Sequence, residues 1–295
     1  MPRDLTDVDE ALLRSWPLPQ PSGSKHSRGD VMVIGGARTT PGAAQLAGLS
    51  ALRVGAGRLT LAIAGSVAGA VSVAVPESGV LPLDETPAGH VRGRSVQAIA
   101  PQLGQADAVL VGPGLDDVRE ARRMLSALTD VLDAPSAVVL DAYALGALAT
   151  RRRAHRFPNA ILKPNESEAE LLLGHPLQDL VDDTIALARR YRAVVSCMGI
   201  VAGPAGAAYR VREAGPGLGT SGSGDVLAGA IVGLAARGCS PLQAAVWGTY
   251  LHARAGEHFA AVGAPIGYLA SDLSARLPFE LGAISGQSDQ RALRE

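Results

Sequence analysis

Short, uninterrupted runs of Val, Ile, Leu and Ala recur along the chain, and stretches with a helical pattern separate them. These runs predict strands at 31–34, 59–63, 71–75, 108–111, 137–140, 160–162 and 193–196. Strands that are apolar along their whole length are typical of parallel sheets covered by helices on both faces. The sequence therefore predicts an α/β fold with a mostly parallel central sheet.

The segments between and after the strands complete this alternation. They predict helices at 41–54, 118–132, 166–173, 180–190, 225–236 and 241–260. The first helix begins at a proline and ends before Gly55, as helices commonly do. Two short runs at 201–202 and 208–211 flank a Gly-Pro-Ala-Gly sequence and predict a hairpin.

The two ends of the chain lie outside this pattern. Residues 16–29 are rich in Pro, Gly and Ser, which is typical of an extended segment. We expect residues 1–24 to be an extended N-terminal lead-in and residues 285–295 to be a frayed tail. The length suits one large domain, and we expect a single domain over residues 1–295.

Composition and charge exclude several classes of protein. Charged residues make up 19% and apolar residues 47% of the chain, as in a globular protein. The net charge of −1 offers no basic excess for nucleic acid or an anionic membrane. The basic cluster formed by 151–153 and Arg156 suits a solvated turn.

Cysteines and apolar runs indicate the compartment. Cys197 and Cys239 lack the spacing of a disulfide or metal framework, so we expect reduced thiols, a cytoplasmic protein and no metal site built by the protein alone. The acidic N-terminus lacks the apolar core of a signal peptide. No apolar run reaches the roughly 18 residues of a transmembrane helix, so no membrane partner is expected.

A loop of small residues runs directly into a helix at 219–225, where the sequence is Gly-Thr-Ser-Gly-Ser-Gly-Asp. A helix N-terminus presents free backbone N–H groups and the positive end of the helix dipole, and it therefore favours an anion such as a phosphate. Asp225 at this junction is suited to take a proton from a hydroxyl that attacks the phosphate. The dipole alone also stabilises an acid in the first turn of a helix, and that interpretation stays open here.

Polar and glycine-rich segments follow four of the predicted strands. They are Gly35 with Gly36, the segment 112–114, Asp141, and the segment 163–165. Open parallel sheets bind ligands at the carboxyl ends of their strands. We therefore expect these segments to converge there, with the loop at 219–225 joining them from the helix side.

Three parts of the chain resemble a known family. They are 25–36 with 41–47 and 53–57, then 111–115, and finally 219–229. Together they are similar to the signatures of the ADP/ATP-dependent NAD(P)H-hydrate dehydratases of the ribokinase-like superfamily, over about residues 20 to 280. The resemblance implies a ribokinase-like three-layer αβα fold and a cytoplasmic homo-oligomer, often a homotetramer. The Ala-rich face of 241–260 is the candidate contact between subunits.

The family's reaction restores NADH or NADPH whose nicotinamide ring has been hydrated. The resemblance implies that ADP or ATP phosphorylates the ring hydroxyl of the S form, that Mg²⁺ bridges the nucleotide phosphates, and that phosphate then leaves. It also implies that Asp225 is the base and that backbone N–H groups hold the transferring phosphoryl group. The implied nucleotide-binding residues are Cys197, Met198, Gly199, Ile200, Val201, Thr220, Gly222, Ser223 and Gly224, of which Gly222, Ser223 and Gly224 supply those N–H groups.

The positions that the resemblance implies for the hydrated nucleotide are Ala43, Gly114, Asn165 and Asp225. Ala43 lies at the start of a predicted helix, where phosphates are favoured. Gly112 and Gly114 let the backbone approach a flat ring closely. The same glycines also suit a tight strand-to-helix turn, and both interpretations stay open.

Some positions depart from the family's pattern. Asn165 stands where the family has a substrate-contacting His, and the sequence Lys-Pro-Asn-Glu at 163–166 is more like the sugar kinases of the wider superfamily. The family usually has Lys-Gly near the nucleotide phosphates, where this chain has the segment 197–201. We interpret Cys197 as a buried, small apolar residue and not as a nucleophile.

Four further residues are interpreted from their surroundings. Asp141 either orients Mg²⁺ through water or caps the helix after its strand. His252 and His258 are expected at the surface or at an interface. Ser24 replaces a common His next to Lys25, which fits the family's first signature.

Two other functions stay open: a kinase of a small hydroxymethyl substrate, and a nucleotide-binding protein without activity.

Overall fold

The computed structural model describes residues 5–20, 26–132, 136–150, 157, 159–212 and 215–292, with the backbone alone at 26 and 286–292. The strands are β1 (Leu5–Asp7), β2 (Asp30–Ile34), β3 (Arg58–Ala64), β4 (Ser78–Leu83), β5 (Ala108–Val111), β6 (Ala137–Leu140), β7 (Ala160–Leu162), β8 (Val194–Cys197), β9 (Ile200–Ala202) and β10 (Ala208–Arg210). The helices are α1 (Glu10–Ser15), α2 (Pro41–Arg53), α3 (Gly65–Ala74), α4 (Ala100–Leu103), α5 (Val118–Val131), α6 (Tyr143–Ala149), α7 (Glu166–Leu173), α8 (Leu180–Tyr191), α9 (Ser223–Ala236), α10 (Pro241–Ala261) and α11 (Ala270–Ala292). Short 3-10 turns lie at His26–Arg28, Gly93–Ile99 and Pro216–Gly219.

The described strands form one sheet in the order β1-β10-β9-β8-β7-β6-β5-β2-β3-β4. All neighbours from β8 to β4 in this order are parallel. Strand β9 is antiparallel to both β8 and β10, and β1 joins the outer edge parallel to β10. The mostly parallel sheet and the hairpin formed by β9 and β10 are therefore confirmed.

The chain changes direction across the sheet next to β2. It runs from β2 to β3 and β4 on one side and then returns to β5 on the other side. Such a switch point opens a crevice at the carboxyl ends of the two diverging strands. The segments that begin at Gly35 and Gly112 leave β2 and β5 at this crevice.

Alternate side chains of each central strand enter two separate cores. In β2, Val31 and Val33 join one core, and Met32 and Ile34 join the other. The first core holds α2, α9, α10 and α11, and the second holds α5, α6, α7 and α8. These two layers explain why the strand sequences are apolar on both faces.

Helices α2 and α9 touch along their backbones. A Cβ placed on Gly229 would lie 2.1 Å from the carbonyl oxygen of Ala47, and one on Gly233 would lie 2.6 Å from that of Ala51. Both pairs advance by four residues in the same direction, so the two helices run parallel. Their N-termini consequently lie side by side at the same end of the sheet.

Substituting Gly229 by Ala tests this close approach. Alanine favours a helix over glycine by about 0.5–1 kcal/mol, but overpacking against the Ala47 carbonyl costs about 1–3 kcal/mol or more. We expect Gly229→Ala to lower the free energy of unfolding, measured by chemical denaturation. Gly69→Ala in α3 is the matched control, because a Cβ there meets nothing within 4 Å and should raise stability. A Gly229→Ala variant as stable as the control would contradict the packing.

The predicted strand at 71–75 is wrong, because α3 (Gly65–Ala74) occupies this region. Val71 is buried while Val73 is 82% exposed, a pattern in which one helix face meets the core. The edge of the sheet is taken instead by β4, whose Pro82 lacks an N–H group and suits an edge strand.

The N-terminal segment is not an extended lead-in over its described part. Strand β1 pairs with β10, and α1 follows with its N-cap on Asp9, whose carboxylate accepts the N–H of Leu12 at 2.8 Å. The carbonyl oxygen of Trp16 accepts hydrogen bonds from Gln243 and Trp247 of α10. Tertiary docking therefore orders residues that composition alone marks as extended.

The C-terminal segment differs from its expectation, and some residues of the sequence analysis lie outside the described part of the chain. The backbone of α11 stays helical through Ala292, where a frayed tail was expected from residue 285. Lys25, Ser24 and the basic cluster of 151–153 with Arg156 lie outside the described residues. Among the described helices, none is long and apolar enough to cross a membrane.

The Ala-rich face of α10 packs inside the subunit and not at a contact between subunits. Trp247 is 1% exposed, and a Cβ on Gly248 would lie 2.7 Å from a methyl carbon of Ile231 in α9. On its other side α10 contacts α11. This face was therefore wrongly predicted as the candidate surface for oligomer formation.

Candidate active site

The loop at 219–225 delivers a helix N-terminus to the carboxyl ends of the strands. A 3-10 turn leads into it, and Gly222 with φ of +88° forms the N-cap of α9. The N–H of Ser223 donates to the carbonyl of Thr220 at 3.2 Å. Within the described chain, the N–H groups of Gly222, Gly224 and Asp225 have no protein acceptor. These N–H groups form a ready site for an anion.

Asp225 lies in the first turn of α9 and is half-buried. Burial raises the pKa of its carboxyl to about 7, with the charge of Asp141 adding to the rise and Lys163 opposing it. A base is most effective when its pKa lies near the working pH. Asp225 therefore combines the position and the proton affinity of a general base.

A buried ion pair lies beside Asp225. Asp141 follows β6 and Lys163 follows the neighbouring parallel strand β7, so their side chains meet at the same edge of the sheet. The Lys163 ammonium nitrogen lies 3.0 Å from Oδ1 of Asp141, and both side chains are at most 10% exposed. Burial disfavours the charged ammonium, but Asp141, Glu168 and Asp225 outweigh it and raise the pKa of Lys163.

Asp141 does not cap the helix that follows β6. The N-cap of α6 is Ala142, with φ of +49°, a conformation that non-glycine residues rarely adopt. The N–H of Ala142 donates to Oδ1 of Asp141 at 2.9 Å. The carboxylate is thus held by its own turn and by Lys163, and strained backbone of this kind is concentrated at functional sites.

Lys163 also reaches the start of α9. A Cβ placed on Gly224 would lie 3.0 Å from the Lys163 ammonium nitrogen. The ammonium therefore lies against the helix turn that carries the unpaired N–H groups. Sequence reasoning placed the segment 163–165 at this edge but gave Lys163 no role, although a signal existed: the chain has only two lysines, Lys25 and Lys163, among its 27 Lys and Arg residues.

Ala43 and Gly114 lie close to this centre. The parallel contact of α2 with α9 sets Ala43 level with Asp225, each one turn before the contact of Ala47 with Gly229. The Thr40 hydroxyl donates to the carbonyl of Gly114 at 2.8 Å. The structure thus brings Ala43, Gly114 and Asp225 to one end of the sheet.

Gly114 can only be glycine in this turn. Its φ is +71°, and a Cβ would lie 2.2 Å from the carbonyl oxygen of Thr40. The tight-turn interpretation is therefore correct for Gly114, and it does not exclude contact with a flat ring. Contact with substrate stays a prediction for this residue and for Ala43.

Comparison with known proteins gives this centre a context. The family model described as NAD(P)H-hydrate dehydratase matches residues 31–278. The chain belongs to the NAD(P)H-hydrate dehydratase family. An ADP-dependent (S)-NAD(P)H-hydrate dehydratase from Xanthomonas campestris is 42% identical over 279 residues, covering 92% of this chain and 94% of the relative.

Two further comparisons bear on the architecture of this family member. A solved structure of the ADP/ATP-dependent NAD(P)H-hydrate dehydratase from Bacillus subtilis, co-crystallised with ATP and Mg²⁺, superimposes with a TM-score of 0.78 at 26% identity, covering 96% of this chain and 99% of that one. A bifunctional NAD(P)H-hydrate repair enzyme from Moorella thermoacetica is 34% identical over 274 residues. That match covers 90% of this chain but 51% of the relative, so the chain spans about half of the bifunctional enzyme. The predicted ribokinase-like αβα fold is confirmed.

Asn165, at the position where the resemblance led us to expect His, forms a capping box at the start of α7. Its side-chain oxygen accepts the N–H of Glu168 and the hydroxyl of Ser167, each at 2.9 Å. The Glu168 carboxylate accepts the N–H of Asn165 in return. This capping box gives Asn165 and Glu168 a structural role, and it leaves the exposed amide NH₂ of Asn165 for a substrate contact, which stays a prediction.

The segment 197–201 forms a tight hairpin turn between β8 and β9. Met198 and Gly199 have φ of +46° and +80° and connect the paired residues Cys197 and Ile200, as in a two-residue turn with both φ angles positive. Cys197 is buried, and burial raises the pKa of its thiol to about 12, so its interpretation as a small apolar residue is confirmed. Nucleotide contacts by this turn, including Val201, stay a prediction.

His252 was wrongly predicted at the surface, because α10 packs its side chain inward. It is 6% exposed, and its Nε2 lies 2.9 Å from the Ser223 hydroxyl oxygen. Burial, together with the charge of Lys163, lowers the pKa of His252 to about 4, so the ring stays neutral near pH 7. His252 therefore orients the Ser223 hydroxyl at the start of α9, while His258 is half-buried against Phe259.

Proposed function

We propose that the protein is a nucleotide-dependent lyase that removes water from the S form of hydrated NADH or NADPH. The observation that carries this proposal is Asp225, a carboxyl with a pKa of about 7 next to unpaired N–H groups at a helix N-terminus. A base and an anion site in contact are what phosphorylation of a hydroxyl requires. Membership of the NAD(P)H-hydrate dehydratase family supports the substrate class.

The reaction divides into two balanced steps. In the first, the ring hydroxyl oxygen bonds to the terminal phosphorus of ADP or ATP, the bridging P–O bond breaks to release AMP or ADP, and Asp225 takes the hydroxyl proton. In the second, the C–O bond breaks, phosphate leaves with the electron pair, and the neighbouring carbon loses a proton to water, which restores the ring double bond. Phosphate is a far better leaving group than hydroxide, which is why a nucleotide is consumed.

Each group of residues has a place in this proposal. The N–H groups of Gly222 and Gly224 hold the transferring phosphoryl group, whereas the N–H of Ser223, which the resemblance also implied, donates to the Thr220 carbonyl. The hydrated ring lies between Gly114 and Asp225, with Ala43 and the amide of Asn165 as further contacts. The nucleotide extends along Thr220, Ser223 and the turn at 197–201, where the backbone makes the contacts.

Mg²⁺ fits this site as a companion of the nucleotide. In the part of the chain that the structure describes, no three His, Cys, Asp or Glu side chains come together as a metal site. Mg²⁺ commonly takes one or two carboxylates and completes its shell with phosphate oxygens and water. Asp141 is the carboxylate that would orient the ion through water, and the ion when bound would neutralise phosphate charge.

The central test is the recovery of NADH absorbance when the purified protein meets hydrated NADH, Mg²⁺ and either ADP or ATP. We expect recovery with the S form only. Release of AMP would identify ADP as the phosphoryl donor, and release of ADP would identify ATP. No recovery with either nucleotide in folded protein would contradict the proposal. Phosphorylation of a hydroxymethyl compound in its place would favour a small-molecule kinase, and nucleotide binding without turnover would favour a non-catalytic protein.

We further propose a cytoplasmic homotetramer. Sedimentation of the purified protein tests its oligomeric state.

A further inference from the structure

Lys163 is an unusual residue in its own chain. The protein uses arginine at all but two of its 27 Lys and Arg positions, and Lys163 is the one lysine in the described residues. A lysine carries a compact charge on a flexible stem, whereas the guanidinium of arginine is broad and planar. The narrow space between Asp141 and α9 suits the compact charge.

The Lys163 ammonium has more donors than partners. Among the described residues, Asp141 is the single carboxylate within 4.0 Å of its nitrogen. An ammonium group has three N–H donors, and this one is about nine-tenths buried, with its nitrogen 3.0 Å from the position of a Cβ on Gly224 at the start of α9. A ligand oxygen bound at the start of α9 would therefore lie within reach of a donor that Asp141 does not use.

The anion site at α9 has N–H groups but needs a full positive charge. Moving a phosphoryl group develops negative charge on its oxygens, and catalysis consists largely of stabilising that charge. The turn at 197–201 contributes no basic side chain. Lys163 lies 3.0 Å from the position of a Cβ on Gly224, which places its charge where the phosphoryl oxygens would lie.

We propose that Lys163 is a catalytic residue whose ammonium contacts the transferring phosphoryl group, and that Asp141 is the positioning residue that holds it there. This proposal rests on the proposed function. During transfer, Lys163 keeps its protons and donates hydrogen bonds to the phosphoryl oxygens. The bond from the substrate oxygen to phosphorus forms, the bridging P–O bond breaks, and Asp225 receives the hydroxyl proton.

The test removes the ammonium while keeping the length of the side chain. We expect Lys163→Met to lower kcat by about 10²–10³-fold, as the loss of one preorganised donor does, with a small change in the KM for hydrated NADH. Arg58→Met is the matched control: it breaks the ion pair with Asp30 at the opposite, amino end of the sheet and should keep the wild-type kcat. A folded Lys163→Met protein with wild-type kcat would overturn the proposal.

Two further measurements keep the test decisive. If Lys163→Met does not fold, the double variant Lys163→Met with Asp141→Asn leaves neither charge unpaired, and the same loss of kcat is expected. The dissociation constant of AMP divided by that of ADP measures the preference for ADP, and it tests the contact without turnover, because AMP lacks the group that ADP would transfer. Losing a charge-assisted hydrogen bond should reduce this ratio by about 10–100-fold.

The two proposals can fail separately. Wild-type protein that restores no NADH contradicts the proposed function, whatever Lys163 does. A variant that keeps the wild-type preference for ADP over AMP contradicts the contact of Lys163 with the terminal phosphate, whether or not the wild type restores NADH.

Discussion

Asp225→Asn is expected to lower kcat for NADH restoration by about 10²–10⁴-fold, because the substrate hydroxyl then loses its proton acceptor. Asn keeps the shape of Asp, and the N–H groups of Gly222 and Gly224 stay in place. ADP binding, measured by calorimetry, should therefore change little. Rates are compared at saturating ADP and hydrated NADH so that kcat alone is read.

The pH profile provides a second readout of the same carboxylate. Burial and the charge of Asp141 raise the pKa of Asp225 to about 7, while Lys163 opposes them. Only the ionised carboxylate accepts a proton, so kcat/KM should fall as the pH drops below about 7 and level off above it. The residual activity of Asp225→Asn should lack this acid limb.

A matched control separates catalysis from helix stability. Asp182 lies in the first turn of α8, as Asp225 does in α9, but α8 belongs to the other helix layer. Removing an acid from a first turn costs about 0.3–1 kcal/mol through the helix dipole. Asp182→Asn should therefore lower stability slightly and leave kcat unchanged. If Asp225→Asn behaved in the same way, the acid would serve the helix and not the reaction.

The elements that sequence predicts best are those whose side chains all meet the same surroundings. Strands β5, β6 and β7 are apolar on both faces, and their predicted bounds agree with the structure. The run at 71–75 has similar residues, but its neighbours place it on a helix at the edge of the sheet. Local pattern cannot decide that case, because burial of one face or two depends on what packs against the segment.

The residues of the site also fall into two groups: those that a local sequence pattern reveals, and those that only the tertiary structure brings together. Asp225 and its loop are visible in sequence because a helix N-terminus is a local structure. The segments of Asp141 and Lys163 were expected at the same edge of the sheet, but their ion pair was not, because it depends on the parallel register that sets the end of β6 beside the end of β7. His252 is hidden for a related reason, since its partner Ser223 lies on another helix.

Asp141→Asn is expected to lower the free energy of unfolding at pH 7 by about 3–5 kcal/mol, the usual cost of leaving one member of a buried ion pair alone. Asn can still accept the N–H of Ala142, so the turn after β6 keeps that hydrogen bond. What the variant loses is the carboxylate 3.0 Å from the Lys163 ammonium. Chemical denaturation of wild type and variant gives the difference.

The sign of the pH dependence identifies Lys163 as the origin of this loss. Burial disfavours the Lys163 ammonium, and Asp141 is the main group that raises its pKa. Without Asp141, the folded state should bind the Lys163 proton less tightly than the unfolded state does. Stability then rises with pH, so the deficit of Asp141→Asn should shrink as the pH rises from 7 towards the pKa of unfolded lysine at about 10.4.

Adding Lys163→Met to Asp141→Asn should recover most of the lost stability, because replacing both members of a buried pair is often close to neutral. The double variant should nevertheless stay catalytically impaired, since it lacks the ammonium at the start of α9. Recovery of stability without recovery of kcat would separate the effect of the buried pair on stability from the catalytic role of the Lys163 ammonium. If the double variant were as unstable as Asp141→Asn, the deficit would come from Asp141's own packing and not from an unpaired Lys163 charge.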